Sequence, residues 1–442
     1  MLMPQRHHGN SVDDPLGIVG EEAVIQRERN WAGNHTYRAS RFHQPASLDE
    51  LRRIVSAATR VRALGSRHAF NDIADSTELV SLDRLPQKAA IDSSSGTVTV
   101  TAGMTYGALA QVLHHEGVAL HNMASLPHIS IAGAIATATH GSGDANGNLA
   151  TAVSALELVT HDGDIVHVSR TDDDFAGIVV GLGALGIVTR ITLDLQPGYQ
   201  MRQQVFEHLD WDVLYDRFDD VMAGADSVSL FTDFGETVDQ VWLKTRVDRE
   251  PADPLPDEFL GAAVAVVPLH PVGSLSPDNC TGQLGVPGAW HDRLPHFRMD
   301  AIPASGDEIQ AEYMLPRRHA VAALQAIRER ASEIQQHLWI SEIRTVRADD
   351  LWMSTAYGTD TVCIHFSWRF DPPAVDRVLP VVEAALAPYG PRPHWGKVFA
   401  MGPAELGARY QRLADFRRLA TSMDSRGAFR NDFLDRYVFD GG

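Results

Sequence analysis

An α+β architecture in two domains is predicted, on three observations. The chain has 442 residues, more than one ordinary domain of roughly 100–200 residues. Alternating, strand-like runs and helical runs occur on both sides of Pro197-Gly198, as in folds that combine sheet and helix. Pro197-Gly198 itself punctuates the chain as a domain boundary would. Hydrophobic residues make up 44% and charged residues 21%, an ordinary globular mixture that can bury a large core.

Residues 1–29 read as a loose extension. Ser47-Leu48-Asp49-Glu50 has capping-box spacing, and Leu51, Ile54 and Val55 follow at helical spacing. Residues 61–64 read as a short strand running into Gly65-Ser66-Arg67-His68. Thr97–Thr101 alternates as a strand does. Leu109, Val112 and Leu113 share a helical face that Gly117 would cap. The tract 123–148 is too rich in small residues for a core helix, and lets backbone approach a ligand closely. Asp162-Gly163 between apolar runs signals a hairpin, and 191–195 alternates as a further strand. Past Pro197, strands are predicted at 227–232, 241–245, 338–345 and 362–368, with loops at 251–256 and 268–287. Pro316 opens a helix with Ala320, Leu324 and Ile327 on one face, and 373–386 reads as another.

Charge and cysteine content exclude some functions. Lys plus Arg number 38 and Asp plus Glu 57, a net charge of −19. Such a chain is a poor nucleic-acid or anionic-membrane binder. The two cysteines, Cys280 and Cys363, are too few for a disulfide framework or a four-cysteine zinc site. No run of about 18 apolar residues suggests a spanning helix, and residues 1–29 lack the apolar core of an export signal. A cytoplasmic monomer without a metal is the expectation.

Gly181-Leu182-Gly183-Ala184-Leu185-Gly186 matches the G-x-G-x-x-G dinucleotide fingerprint. That fingerprint must open a helix, whose N-terminus holds the pyrophosphate. Residues 187–195 instead alternate like a strand. A glycine turn, or backbone packed near a cofactor, fits better than a nicotinamide site.

Four segments carry chemistry. Gly65-Ser66-Arg67-His68-Ala69-Phe70-Asn71 is a small-residue turn holding a histidine, suited to clamping phosphate with backbone N–H groups. Residues 122–143 offer hydroxyls and backbone donors. In Ser341-Glu342-Ile343-Arg344-Thr345, Glu342 and Arg344 share one strand face with Ile343 opposite. In Ile364-His365-Phe366-Ser367-Trp368, His365 and Ser367 share a face, and Lys397 follows His394-Trp395-Gly396. Each has a plainer reading on its own: a surface turn, an irregular loop, an exposed ion pair, a core histidine.

Together with Asn30-Trp31-Ala32-Gly33-Asn34, Ser229-Leu230-Phe231-Thr232-Asp233, Leu294-Pro295-His296-Phe297-Arg298 and Pro391-Arg392-Pro393-His394-Trp395-Gly396-Lys397-Val398, these segments resemble the alditol oxidases. Those are FAD-linked oxidases of the vanillyl-alcohol oxidase / p-cresol methylhydroxylase family. The resemblance covers nearly everything after the extension. It implies a two-subdomain FAD-binding domain over 30–197 and a mixed sheet-and-helix substrate domain over 198–418. A segment over 419–442 would return to the FAD domain. It implies FAD bonded covalently through His68, with Gly65, Ser66, Arg67, Ala69, Phe70, Ser125, Ser130, Gly133, Thr139, Gly141, Ser142, Gly143, Ile187, Lys397 and Asn431 around it. Relatives usually carry Gly where this chain has Arg67, which bears on the turn's φ, and Ser is commoner at Ala69. The substrate would be a polyol oxidised at its C1 alcohol, with O2 reduced to hydrogen peroxide. Ser125, Glu342, Arg344, His365, Ser367 and Lys397 would bind it. Of these, Lys397 and Arg344 would act on flavin charge, and His365 would be a candidate proton acceptor. A sugar-1,4-lactone oxidase of the same wider family is the alternative.

Overall fold

The computed structural model describes residues 28–247, 256–301 and 308–439. Nearly all of the extension 1–29 and of the loop 251–256 lies outside the described residues. No helix among the described residues is long and apolar enough to cross a membrane.

The first half builds a three-stranded and a five-stranded sheet, with a two-stranded pair of Val118–Ala119 and Gln196–Pro197. Arg41–His43, Glu78–Val80 and Val61–Ala63 pair in parallel. Ala89–Asp92, Thr97–Thr101, Ile187–Asp194, Val153–Val159 and Ile165–Ser169 form a five-stranded antiparallel sheet in that order. Ser47 caps the helix Leu48–Ala57 by accepting from the Glu50 N–H at 3.2 Å. The predicted hairpin forms, with Gly163 at φ 82°. The helix Tyr106–His115 buries Tyr106, Leu109, Ala110 and Leu113. Val112, expected on that face, is 41% exposed instead.

One expectation fails in the tract 123–148. A short helix, Ile131–Ala136, lies there with Ile131, Ala134 and Ile135 in the first core. Small side chains let its backbone sit against neighbours: a Cβ on Gly133 would meet the Ser130 Oγ at 2.8 Å. The glycine turn 181–186 runs straight into the strand Ile187–Asp194, which rules out the dinucleotide fingerprint. Its Leu182 and Gly183 carbonyls accept from the buried Arg62 guanidinium at 2.6 and 3.2 Å.

The second half is one ten-stranded sheet. Its middle runs Gln200–Asp210, Thr237–Arg246, Ser227–Thr232, Leu338–Val346, Thr361–Arg369 and Glu308–Pro316, all antiparallel. Ile343, Ile364, Phe366 and Trp368 point to one face, into a core shared with the helices Ala320–Arg328 and Pro372–Leu386. The alternate residues point the other way, toward the first half.

The return to the first half begins well before the expected residue 419. Trp395, Leu406, Leu413, Phe416 and Phe429 all join the first core. Lys397 is therefore carried on the segment that leaves the sheet and crosses back.

Candidate active site

A cavity of about 720 Å³ lies between the two halves. From the first half it is lined by Gly65, Ser66, Arg67, His68, Ala69, Phe70, Ser125, Ser130, Gly133 and Thr139. From the sheet it is lined by Glu312, Glu342, Arg344, His365 and Ser367, with Lys397 at the crossover. The alternation read in the sequence thus places both predicted strand pairs on the cavity face.

The histidine turn is held from outside. The Asn30 and Asn34 amides donate to the Ala69 and Phe70 carbonyls at 3.0 and 2.7 Å. The Ser66 Oγ accepts from the Ser130 N–H at 2.9 Å. Asn71 donates to the Trp395 and Lys397 carbonyls at 2.9 and 2.7 Å, tying the turn to the crossover. Arg67 adopts φ 61°, the left-handed conformation that glycine takes at no steric cost. The backbone N–H groups of residues 65–69 have no hydrogen-bond partner among the described residues. Neither ring nitrogen of His68 has one either, and Trp31 stacks on the ring at 5.5 Å. Burial pushes His68 down to about 4, so the imidazole is neutral.

On the sheet, Glu342, His365 and Glu312 lie directly opposite one another across three strands. Glu312 is the hub. Its Oε1 accepts from Arg344 Nη2 at 2.6 Å and its Oε2 from Lys397 Nζ at 2.7 Å, while His140 Nε2 lies 3.3 Å from Oε1. Burial alone would raise Glu312, but Lys397, Arg344 and His140 outweigh it and hold the carboxyl well below its ordinary range. Burial lowers His140, yet Cys363 and Glu312 outweigh it and lift the imidazole to about 9. Lys397 Nζ also lies 2.8 Å from His365 Nδ1, and His365 Nε2 lies 3.1 Å from Ser367 Oγ. Burial, then the Lys397 charge, push His365 down to about 3. Arg344 Nη1 donates to Ser125 Oγ at 3.2 Å, and Arg344 Nε lies 3.5 Å from Glu342 Oε1. Arg344, Lys397 and His140 thus face two carboxylates, Glu312 and Glu342; burial lowers Lys397, and the Glu312 contact opposes it.

Not every expected residue lines the cavity. Gly141, Ser142 and Gly143 sit on the seam between the halves. The Ser142 Oγ donates to the Val228 carbonyl, and Gly143 N–H donates to the Thr345 carbonyl at 3.0 Å. A Cβ on Gly143 would meet the Asp226 carbonyl oxygen. Ile187 is buried in the first core, while its neighbours Gly186 and Val188 line the cavity. Asn431 donates to the carbonyls of Asp72, Ile73 and Asp75 at 2.8–3.1 Å, anchoring the C-terminal segment beneath the turn.

Glu312, His140, His296 and Lys244 were missed in the sequence. Glu312 had a readable signal, because Ile309, Ala311, Tyr313 and Leu315 alternate with Glu308, Gln310 and Glu312. Lys244 follows the apolar run 241–243 on its strand, which is a weaker signal.

The residues fit a flavin cofactor. The unpartnered N–H groups of the turn suit a pyrophosphate, and the orphaned His68 nitrogens face the same space. Residues 39–169 match the family model described as FAD binding domain, and 306–437 match D-arabinono-1,4-lactone oxidase. The alditol oxidase of Streptomyces sp. is 48% identical over 93% of this chain and 99% of its own length. The L-gulono-1,4-lactone dehydrogenase of Mycobacterium tuberculosis is 29% identical over 92% and 98%. The crystal structure of cholesterol oxidase from B. sterolicum shares the fold, with TM-score 0.73 and 15% identity over 93% of this chain and 96% of that one. From the cavity and these likenesses together, the chain belongs to the alditol oxidases, FAD-dependent oxidases with the vanillyl-alcohol oxidase fold.

Proposed function

We propose that this chain oxidises the C1 primary alcohol of a polyol such as xylitol or sorbitol to the aldehyde, while O2 becomes hydrogen peroxide. The observation that carries this reading is one cavity joining the His68 turn to a buried hydrogen-bonding cluster of Glu312, Glu342, Arg344, His365 and Lys397. A polyol is neutral and offers only hydroxyls, so donors and acceptors fixed on a rigid sheet suit it. Bound FAD would supply the hydride acceptor.

Ser125 and Glu342 hold substrate hydroxyls. Arg344 and Lys397, locked by Glu312, present positive charge to an oxygen that loses its proton. His365 is the acceptor of the hydroxyl proton: its Nδ1 takes the Lys397 hydrogen bond at 2.8 Å, which leaves Nε2 for the substrate. Because burial and the Lys397 charge push His365 down to about 3, it takes that proton only once the hydroxyl has become strongly acidic in the transition state. His68, neutral and unpartnered, is the nucleophile that bonds covalently to the cofactor.

Two experiments test the reading. Purified protein precipitated with acid should keep its yellow colour in the pellet, and His68→Ala should release it to the supernatant. Peroxide release should follow addition of polyol. The match of 306–437 to a lactone oxidase supports sugar-1,4-lactone oxidation as a second reading. Turnover of a lactone with none of any polyol would establish that instead.

A further inference from the structure

Behind the substrate-facing carboxylate lies a buried chain that the reaction itself does not use. Lys244, on the strand Thr237–Arg246, is 1% exposed and bears an amine among apolar neighbours. Its Nζ meets three acceptors: the Leu294 carbonyl at 2.6 Å, the Pro295 carbonyl at 3.1 Å and His296 Nδ1 at 3.0 Å. These three contacts hold the amine in place. The Glu342 carboxylate can only accept, so the imidazole proton of His296 sits on Nε2 and Nδ1 accepts from Lys244. Nε2 then donates to Glu342 Oε1 at 2.7 Å.

His296 is fixed on its other sides as well. Its backbone N–H donates to the Ser125 carbonyl at 3.0 Å. Phe231 and Trp242 pack edge-on against its ring at 5.4 and 5.3 Å. One residue thus grips Ser125 through its backbone and Glu342 through its side chain. Glu342 Oε1 is occupied by His296 and Arg344, while Oε2 has no hydrogen-bond partner among the described residues. Ser125 Oγ accepts from Arg344, which leaves its own proton to donate. The block therefore offers the cavity one acceptor and one donor at a set separation.

We propose that Lys244 and His296 are positioning residues that set the spacing of Ser125 Oγ and Glu342 Oε2, and with it the recognition of a hydroxyl beside the one oxidised. This rests on the polyol reading above. Burial pushes Lys244 down to about 7, which accords with an amine whose nearest carboxylate is reached only through His296.

Steady-state kinetics of the FAD-loaded enzyme with xylitol or sorbitol test it. His296→Leu and Lys244→Met should raise KM about tenfold or more, as for loss of a hydrogen bond to a charged group, with kcat within about threefold. His296→Gln can accept from Lys244 and donate to Glu342 at once, so its KM should stay within about threefold of the parent. An unchanged KM in His296→Leu overturns the proposal. Equal damage in the Gln and Leu variants does so too, since that is what a purely structural role would give. If His296→Leu does not fold, an unchanged KM in Lys244→Met is decisive in its place. A parent enzyme that turns over no polyol overturns the proposed function, and this inference with it. A parent that turns over polyol with an indifferent His296→Leu overturns this inference alone.

Discussion

Glu312 accepts from both fixed cations of the site, so its removal and theirs should read differently. In Glu312→Gln, Arg344 and Lys397 stay buried without their shared counter-charge. Breaking a buried pair in this way costs about 3–5 kcal/mol, and thermal unfolding should show a correspondingly lower midpoint. Lys397→Met removes positive charge from the reacting oxygen but leaves the histidine turn intact. Flavin reduction, followed by stopped-flow absorbance, should slow by about 10²–10³, the usual weight of one electrostatic donor. The amount of bound FAD should not change. Unaltered reduction kinetics would remove Lys397 from the chemistry. At this scale the sequence was informative for Glu342, Arg344, His365, Ser367 and Lys397, which all reach one cavity. Glu312 was overlooked although its strand alternates as clearly as theirs.

Among the elements, the turn 65–69 is the one where an arginine holds a conformation that glycine takes at no steric cost. The structure puts Arg67 at φ 61°. A left-handed non-glycine residue costs about 1–2 kcal/mol, offset here by an Arg67 Nε–Glu28 contact at 3.2 Å and by stacking over Phe42 at 5.8 Å. Arg67→Gly should therefore keep its colour in the acid pellet and stay within about 1 kcal/mol of the parent. Arg67→Val, β-branched at a positive φ, should be clearly less stable. A glycine variant that loses its flavin would show that the arginine side chain itself holds the cofactor. The small-residue tract taught a related lesson. Composition argued against a helix at 131–136, but burial of Ile131, Ala134 and Ile135 in the first core favours one where propensity is neutral.

Across the whole molecule, buried histidines of opposite character bound the stable pH range. His140 rises from 6.5 to about 9 in the folded chain. Its contribution is complete below its unfolded value and is lost as pH climbs through 9. His296 and His365 fall to about 4 and 3. They are neutral when folded, so the unfolded chain takes up their protons first, and stability falls as pH drops below 6.5. The melting temperature should therefore fall below pH 6.5, while on the alkaline side the loss from His140 is opposed by Lys244, lowered to about 7, whose contribution grows as pH rises from 7 toward its unfolded range. Relative to the parent, His140→Gln should lose more melting temperature at pH 6.5 than at pH 9, and an equal loss at both would remove His140 from the profile.

The sequence by itself determined the two-part architecture, the absence of a dinucleotide helix after Gly186, and which strand residues share a face. These follow from local rules: period-2 alternation, turn chemistry and capping. It also carried the motifs that resemble the alditol oxidases. Tertiary structure alone decided that Gly141, Ser142 and Gly143 serve the seam between the halves. It alone decided that the chain recrosses near Trp395, and that Glu312, His140, His296 and Lys244 back the visible site residues. Those facts depend on which strands become neighbours. Strands Glu308–Pro316, Thr361–Arg369 and Leu338–Val346 meet in that order only after long loops close, and no local pattern encodes which buried charge will stand opposite another.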